Sequence, residues 1–132
     1  MTDDRRALGL LGERIAARWL ERRGWTVVAR RFRSGHRDID LVVRRADEVA
    51  FVKVKARRGL AFGDPAEAVG WRKRRALTRS ARAWLARHGG VATACRFDVV
   101  AVLVGRSGVR VRHLEDAFPA ADEGGAGAEK DV

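Results

Sequence analysis

The sequence contains only one cysteine and no long run of apolar residues. Its single cysteine, Cys95, excludes an internal disulfide and any metal site made of several cysteines. Because Cys95 opens the apolar run CRFDVVAVLV, it is predicted to be a small core residue. No apolar run approaches the roughly 20 residues that cross a bilayer, and the N-terminus MTDDRRALGL lacks the apolar stretch of a secretory signal. A soluble, cytoplasmic protein without a membrane partner is therefore predicted.

Lysine is also scarce, because only four of the 28 basic residues are Lys, while the net charge is +11. Six acidic residues and one lysine lie from Glu115 onward, so residues 1–114 hold 27 basic and 11 acidic side chains, a net charge of +16. Such a surface attracts polyanions, and nucleic acid is the most common one in a cytoplasm. A GC-rich genome would explain arginine in place of lysine, but not the excess of basic residues. Nucleic acid is the predicted partner.

Hydrophobic periodicity predicts a single domain over residues 1–118, with the element order αβββαββ. The predicted helices cover 3–23 and 64–88, the second one capped by Asp64. The predicted strands cover 25–32, 38–45, 48–56, 95–104 and 109–114, and the first three form an antiparallel meander. Residues 119–132 are small, polar and acidic, and are predicted to be a disordered tail.

Charged residues of opposite sign face each other across the predicted hairpin. Asp38 and Asp40 share one face of their strand, and Lys53 and Lys55 share one face of the next. A turn at residues 46 and 47 brings the carboxylates near the ammonium groups, and Glu13 lies at the flank of the first helix's apolar stripe. These residues fit a chemical site, but they also fit solvated salt bridges worth a few tenths to about 1 kcal/mol each.

Several segments carry a resemblance to a known family, and they stand in family-like order from Gly9 to Phe118. They read GLLGERIAARWLERRGW, RRFRSGHRDIDLVV, FVKVKARRGLAFGDPAEAV, RRAL, RFDVVAV and HLEDAF. The chain resembles the YraN-like family of small bacterial proteins, within the restriction-endonuclease-like (PD-D/ExK) superfamily, and is similar in layout to Holliday-junction resolvases. The resemblance implies an α/β fold with a mixed sheet of about five strands flanked by helices. Since resolvases often form dimers, it leaves a homodimer open.

The resemblance also implies a set of site residues. The family's helix glutamate falls on Glu13, its motif aspartate on Asp40 and the lysine of its E-x-K element on Lys55, while Asp38 takes the place of a further acidic residue. In such enzymes Mg²⁺ or Mn²⁺ is the cofactor, so the implied ligands are Glu13, Asp38 and Asp40, which offer the oxygen atoms that these ions prefer. The lysine would orient the attacking water or neutralise the developing charge.

Lys53 departs from the family pattern, because the chain reads FVKVK where the family reads FVEVK. The change removes one implied metal ligand and adds a cation at the catalytic position. Three hypotheses remain: a Mg²⁺-dependent endonuclease acting on branched or single-stranded DNA with a compromised motif, a catalytically inactive relative that binds DNA or RNA, and a basic scaffold protein. DNA is favoured over RNA, since the aromatic residues, Phe62 among them, mostly lie at core spacings rather than in an RNA-reading motif.

Basic residues around the predicted site are the expected phosphate contacts. Several follow the FVKVK strand or enter the second helix, where a solvated helix face is the alternative explanation for each one. The predicted contacts are Arg33, Arg57, Arg58, Arg72, Lys73, Arg74 and Arg75.

Overall fold

A computed structural model describes residues 2–34, 37–62, 69–88 and 94–121 of the chain. The element order αβββαββ is confirmed. The elements are α1 (Thr2–Glu21), β1 (Thr26–Ser34), β2 (Arg37–Arg45), β3 (Glu48–Arg58), α2 (Trp71–Arg87), β4 (Ala94–Gly105) and β5 (Gly108–Phe118). No helix in these described ranges is long and apolar enough to cross a membrane.

The five strands form one mixed sheet in the order β1-β2-β3-β4-β5. The first three strands pair antiparallel, which confirms the predicted meander. β4 lies parallel to β3, because α2 carries the chain back to the starting end of the sheet, and β5 then pairs antiparallel with β4. The interior position of β4, between β3 and β5, confirms the interpretation of its apolar run as a buried strand, since Phe97 to Leu103 are all buried.

The two helices cover opposite faces of the sheet. On the α1 side, Ala16, Ala17 and Leu20 pack in one core cluster with Val52 and Val54 of β3. On the α2 side a second cluster forms, in which Leu77, Ala81 and Trp84 lie with Val49 and Phe51, and the rings of Trp84 and Phe51 are in contact. Because successive strand residues point to opposite faces, even-numbered β3 residues lie under α1 and odd-numbered ones face the α2 side. This alternation places Lys53, Lys55 and Arg57 together on the α2 side.

The middle of α1 lies very close to the end of β3. A Cβ atom added to Gly12 would lie 2.6 Å from Cβ of Ala56, a distance that side chains do not tolerate. Glycine therefore allows the helix backbone to reach the strand at this point. As a result, Glu13, the next residue in α1, is placed at the end of the sheet where β3 finishes.

Three local predictions need correction or comment. The second helix begins at Trp71, with Gly70 as a non-helical N-cap. The predicted start at Asp64 lies outside the described residues, and Val69 and Gly70 are not helical.

Cys95 is exposed, so its prediction as a core residue was wrong: it stands near the start of β4, before the stretch that both helices cover. Beyond residue 118, Pro119 and Ala120 are exposed, but Ala121 is 3% exposed and donates its N–H to Thr78 Oγ1 at 2.9 Å. Residues 122–132 lie outside the described part, where the disordered tail stays a prediction.

Candidate functional site

Strands β2 and β3 stop pairing before either strand ends. Their register runs from Arg45 opposite Glu48 to Leu41 opposite Val52 and goes no further. Beyond that point β2 remains paired with β1, and β3 remains paired with β4 as far as Arg58. The sheet therefore opens between residues 37–40 of β2 and residues 53–58 of β3. We call this opening the notch.

Asp40 lies at the closed end of the notch and is nearly buried, at 7% exposure. Its Oδ2 accepts the backbone N–H of Val54 at 2.7 Å. In a continuous ladder that N–H would bond to a backbone carbonyl of β2, so the carboxylate takes over the role of the missing strand partner. The hydrogen bond holds the carboxylate between the two strands.

Lys53 contacts the same carboxylate oxygen. Its Nζ lies 3.3 Å from Oδ2 of Asp40, and the two side chains are 30% and 10% exposed. The prediction that the hairpin brings carboxylate and ammonium groups together is confirmed for this pair. A half-buried ion pair whose acceptor also receives a backbone N–H is held more firmly than a solvated surface pair.

Glu13 approaches the same region from α1. Its Oε1 lies 3.9 Å from Nε of Arg31, and the Glu13 side chain is 18% exposed. Arg31 stands between the pairs that join Arg30 to Leu41 and Phe32 to Ile39, so it occupies the β1 position opposite Asp40. Its φ of 54° is left-handed, which is uncommon for arginine. Glu13 of α1 and Asp40 of β2 thus each have a basic partner, Arg31 and Lys53. The partner of Glu13 is the β1 residue that lies opposite Asp40.

The described residues do not fit a divalent metal. Within the part of the chain that the structure describes, no three His, Cys, Asp or Glu residues gather as a metal site, and the Asp38 side chain lies outside it. The Asp40 oxygen that would bind the ion is already 3.3 Å from the Lys53 ammonium. At about 4 Å and an effective dielectric constant near 20, each unit of charge on the ion would add about 4 kcal/mol of repulsion from that ammonium. The Lys53 ammonium therefore stands against the Asp40 oxygen that the resemblance assigns to the ion.

The remaining predicted cations divide by their surroundings. Lys55, Arg57, Arg58 and Arg72 are exposed. Arg74 is occupied by the fold, because its Nε donates to the carbonyl of Val69 at 2.8 Å and its guanidinium lies 5.0 Å from the ring centre of Phe118. Lys73 and Arg75 are half-buried in the first turns of α2, and the Arg33 side chain lies outside the described residues.

A separate charged cluster ties β4 to β5. Asp98 is fully buried; its Oδ2 accepts hydrogen bonds from Nε2 of His113 at 2.6 Å and from Arg96 at 3.1 Å, and its Oδ1 accepts the N–H of Asp116 at 2.9 Å. Burial alone raises the pKa of Asp98, but the bonds from His113 and Asp116 and the charge of Arg96 together lower that pKa below its ordinary value. The cluster lies where the β4–β5 register shifts, between Phe97 and Val99. Every partner of the carboxylate belongs to β4 or β5, which gives it a structural role.

Two features escaped the sequence analysis. Arg31 was not identified as a site residue from the sequence. Its position opposite Asp40 depends on the strand register and on its left-handed backbone, which no residue pattern reveals. Arg106 and Arg110 belong to the β4–β5 hairpin. The sequence analysis predicted the two strands of this hairpin but did not identify these arginines as candidate site residues. Phe62 was expected at a core spacing, but among the described residues it belongs to neither core cluster and instead lies against Arg110 and Arg112.

Comparison with known proteins gives a consistent family match. The family model described as "Uncharacterised protein family UPF0102" matches residues 12–102, a span that includes the notch. A UPF0102 protein of Nocardia farcinica is 50% identical over 101 residues, which cover 76% of this chain and 80% of that relative. A second, from Beutenbergia cavernae, is 50% identical over 109 residues (82% and 92%), and one from Anaeromyxobacter dehalogenans is 43% identical over 116 residues (88% and 87%).

Proposed function

This chain belongs to the uncharacterised bacterial family UPF0102, and from its own residues we propose that it binds nucleic acid, DNA in preference to RNA, without cleaving it. The observation that carries the proposal is the 3.3 Å contact between Lys53 and Asp40. In a metal-dependent nuclease of the resembled kind, the ion supplies positive charge to the phosphate and ionises a water. An ammonium group also offers positive charge and N–H donors to a phosphate, but it does not ionise a water. The site is therefore suited to bind the phosphate of a nucleic acid without hydrolysing it.

The charges beside the notch support the same proposal. Lys53, Lys55 and Arg57 stand two residues apart on one face of β3, so their Cα atoms are spaced by about 6.6 to 7 Å. Lys55 and Arg57 are exposed, and Lys53 is partly so. Such a row offers successive cations to a phosphate backbone, and each phosphate contact releases counterions to the solvent. The net charge of +16 over residues 1–114 attracts the polyanion from a distance.

The test measures binding and cleavage together. Fluorescence anisotropy of labelled junction, duplex and single-stranded DNA, and of single-stranded RNA, is recorded over a salt series in EDTA and again in Mg²⁺ at matched ionic strength. We expect affinity to fall steeply with salt, to be the same with and without Mg²⁺, and to be weaker for RNA. Intact DNA is expected in all lanes of a parallel gel with Mg²⁺ or Mn²⁺.

Asp40→Asn is the matched control for the cleavage arm, because asparagine keeps an oxygen to accept the Val54 N–H while losing the charge. Cleavage by the wild type that disappears in Asp40→Asn would overturn the non-cleaving proposal, as would a sharp rise of affinity on adding Mg²⁺. Equal or tighter binding of RNA would instead support the scaffold hypothesis.

A Mg²⁺-dependent endonuclease is the second candidate. The observation that favours it is the arrangement of Glu13, whose partner Arg31 occupies the β1 position opposite Asp40, so that two of the implied acidic residues are associated with one end of the sheet. Lys55, the implied catalytic lysine, is exposed two residues beyond Lys53. Since the residues around Asp40 do not fit the ion, this candidate depends on displacing the Lys53 ammonium.

A further inference from the structure

A second surface at the same end of the sheet has the features of a ligand groove. A cavity of about 960 Å³ lies between residues 58–60, at and just after the end of β3, and residues 103–110 of the β4–β5 hairpin. We call it the hairpin groove. Its two walls are joined by backbone and side-chain bonds, because the N–H of Gly59 donates to the carbonyl of Val104 at 3.4 Å and Arg110 donates to the carbonyl of Leu60 at 2.6 Å. The groove is therefore already formed in the free protein.

The turn that shapes the groove depends on glycine. Gly59 has a φ of 134°, which residues with a side chain rarely adopt, and it turns the chain after Arg58 toward the hairpin. This turn is what allows Leu60 to accept the bond from Arg110. The sequence analysis predicts no helix or strand between residues 56 and 64, so the groove could not be predicted from the sequence.

The groove offers only positive side-chain charge. Arg58, Arg106 and Arg110 line it, all three are exposed, and no Asp or Glu of the described residues does so. Arg110 donates one hydrogen bond to the carbonyl of Leu60, but a guanidinium has five N–H donors, so others remain for a ligand. Three arginines converging without a carboxylate are suited to an anion with several oxygens, and phosphate is the chemistry that guanidinium groups match best.

Apolar side chains stand among these arginines. Leu60 is 90% exposed and Val109 is 46% exposed, and both line the groove. Beside it, the Phe62 ring lies 5.3 Å from the guanidinium carbon of Arg110 and 4.7 Å from that of Arg112. A leucine left almost entirely in water next to arginines is well placed to contact a ligand that has both charged and flat apolar parts.

We infer that the hairpin groove binds an unpaired strand of nucleic acid, with phosphates on Arg58 and Arg106 and an unstacked base against Leu60. This inference rests on the proposed function and deepens it. Surfaces that bind single strands combine a cationic track with side chains on which bases lie, whereas a duplex presents phosphates and hides the faces of its bases. Arg58 is the last residue of the strand that carries Lys53 and Lys55, so the groove begins where that cationic row ends, although the Arg58 position itself faces the α1 side.

Two groove variants separate charge from base contact. Arg58→Ala with Arg106→Ala removes two exposed cations, and Leu60→Ser removes the apolar contact. The matched control is Arg18→Ala with Arg22→Ala, which removes the same charge from exposed residues in the last turn of α1 and just after it. Each protein is titrated by anisotropy with a 20-nucleotide single strand, as DNA and as RNA, and with a blunt 20-base-pair duplex, over a salt series.

The double arginine variant should bind the single strand about tenfold more weakly, and its salt slope should fall by about 1.4, since each single-strand contact contributes about 0.7. Leu60→Ser should weaken single-strand binding by about three- to tenfold without changing the slope, and should leave duplex binding unchanged. If the wild type binds nothing, the proposed function and this inference fail together. If it binds, but the double variant matches the Arg18/Arg22 control, or Leu60→Ser weakens duplex binding equally, the groove inference alone is overturned.

Discussion

The carboxylate of Asp40 accepts the backbone N–H of Val54 at 2.7 Å, across the point where β2 and β3 separate. A side chain of β2 thereby completes the hydrogen bonding of β3 at the one place where the ladder between them has ended. The same oxygen receives the Lys53 ammonium, so one carboxylate holds the strand and the cation together. The Asp40 carboxylate therefore serves both the fold and the candidate site. Substitutions at this position must be chosen so that their effects on stability and on binding can be told apart.

Asp40→Ala should destabilise the fold, because it leaves the buried Val54 N–H without its partner. The expected loss in the free energy of unfolding is about 1 to 3 kcal/mol. Asp40→Asn keeps an acceptor oxygen and should lose clearly less. Urea denaturation of the three proteins at pH 7 measures the difference, and an equal loss in both variants would show that the charge, and not the hydrogen bond, is what the site requires.

Lys53→Glu should create a divalent-metal site, because it replaces the cation beside Asp40 with a carboxylate. In the absence of metal, the two acidic groups should repel each other and lower the melting temperature. Saturating Mn²⁺ should raise it again, since a ligand at 100 times its dissociation constant stabilises by about 2.7 kcal/mol. Thermal unfolding with and without Mn²⁺ measures both effects.

Lys53→Gln is the control for that experiment, because it removes the ammonium group without adding a ligand. It should gain no comparable stabilisation from Mn²⁺. If Mn²⁺ stabilises the wild type as strongly as Lys53→Glu, the proposal that Lys53 takes the position of a metal cation is contradicted. The Mg²⁺-dependent endonuclease would then be the better supported of the two candidate functions.

The contact between Asp40 and Lys53 could be predicted from the sequence, because a hairpin that turns at residues 46 and 47 sets these positions opposite each other. The alternation in FVKVKARR likewise predicts that Lys53 and Lys55 share a face. The separation of the strands could not be predicted, since no residue type marks the place where a ladder ends. The hairpin groove was missed for a related reason: its walls come from segments about 45 residues apart, brought together only by the parallel pairing of β3 with β4.

The Asp98 cluster should make stability dependent on pH in acid. The pKa of Asp98 is lowered in the folded protein, so its ionised form contributes stability above the unfolded value of about 3.9, and this contribution is lost as the pH falls through the lower folded pKa. Urea denaturation at pH 7, 5 and 3 should show a smaller acid-induced loss in Asp98→Asn than in the wild type. Parallel losses in the two proteins would assign the acid sensitivity to other carboxylates.

Gly12→Ala should destabilise the protein, although alanine favours helix formation. The added Cβ would lie 2.6 Å from that of Ala56, so α1 or β3 must move, at a cost of about 1 to 3 kcal/mol in the free energy of unfolding. Gly9→Ala, in the same helix with nothing within 4 Å of the added Cβ, should instead stabilise by up to about 1 kcal/mol. Because Ala56→Gly removes the opposing methyl group, the double variant Gly12→Ala/Ala56→Gly should recover part of the loss. A Gly12→Ala variant as stable as Gly9→Ala would contradict the close approach that places Glu13 beside the end of β3.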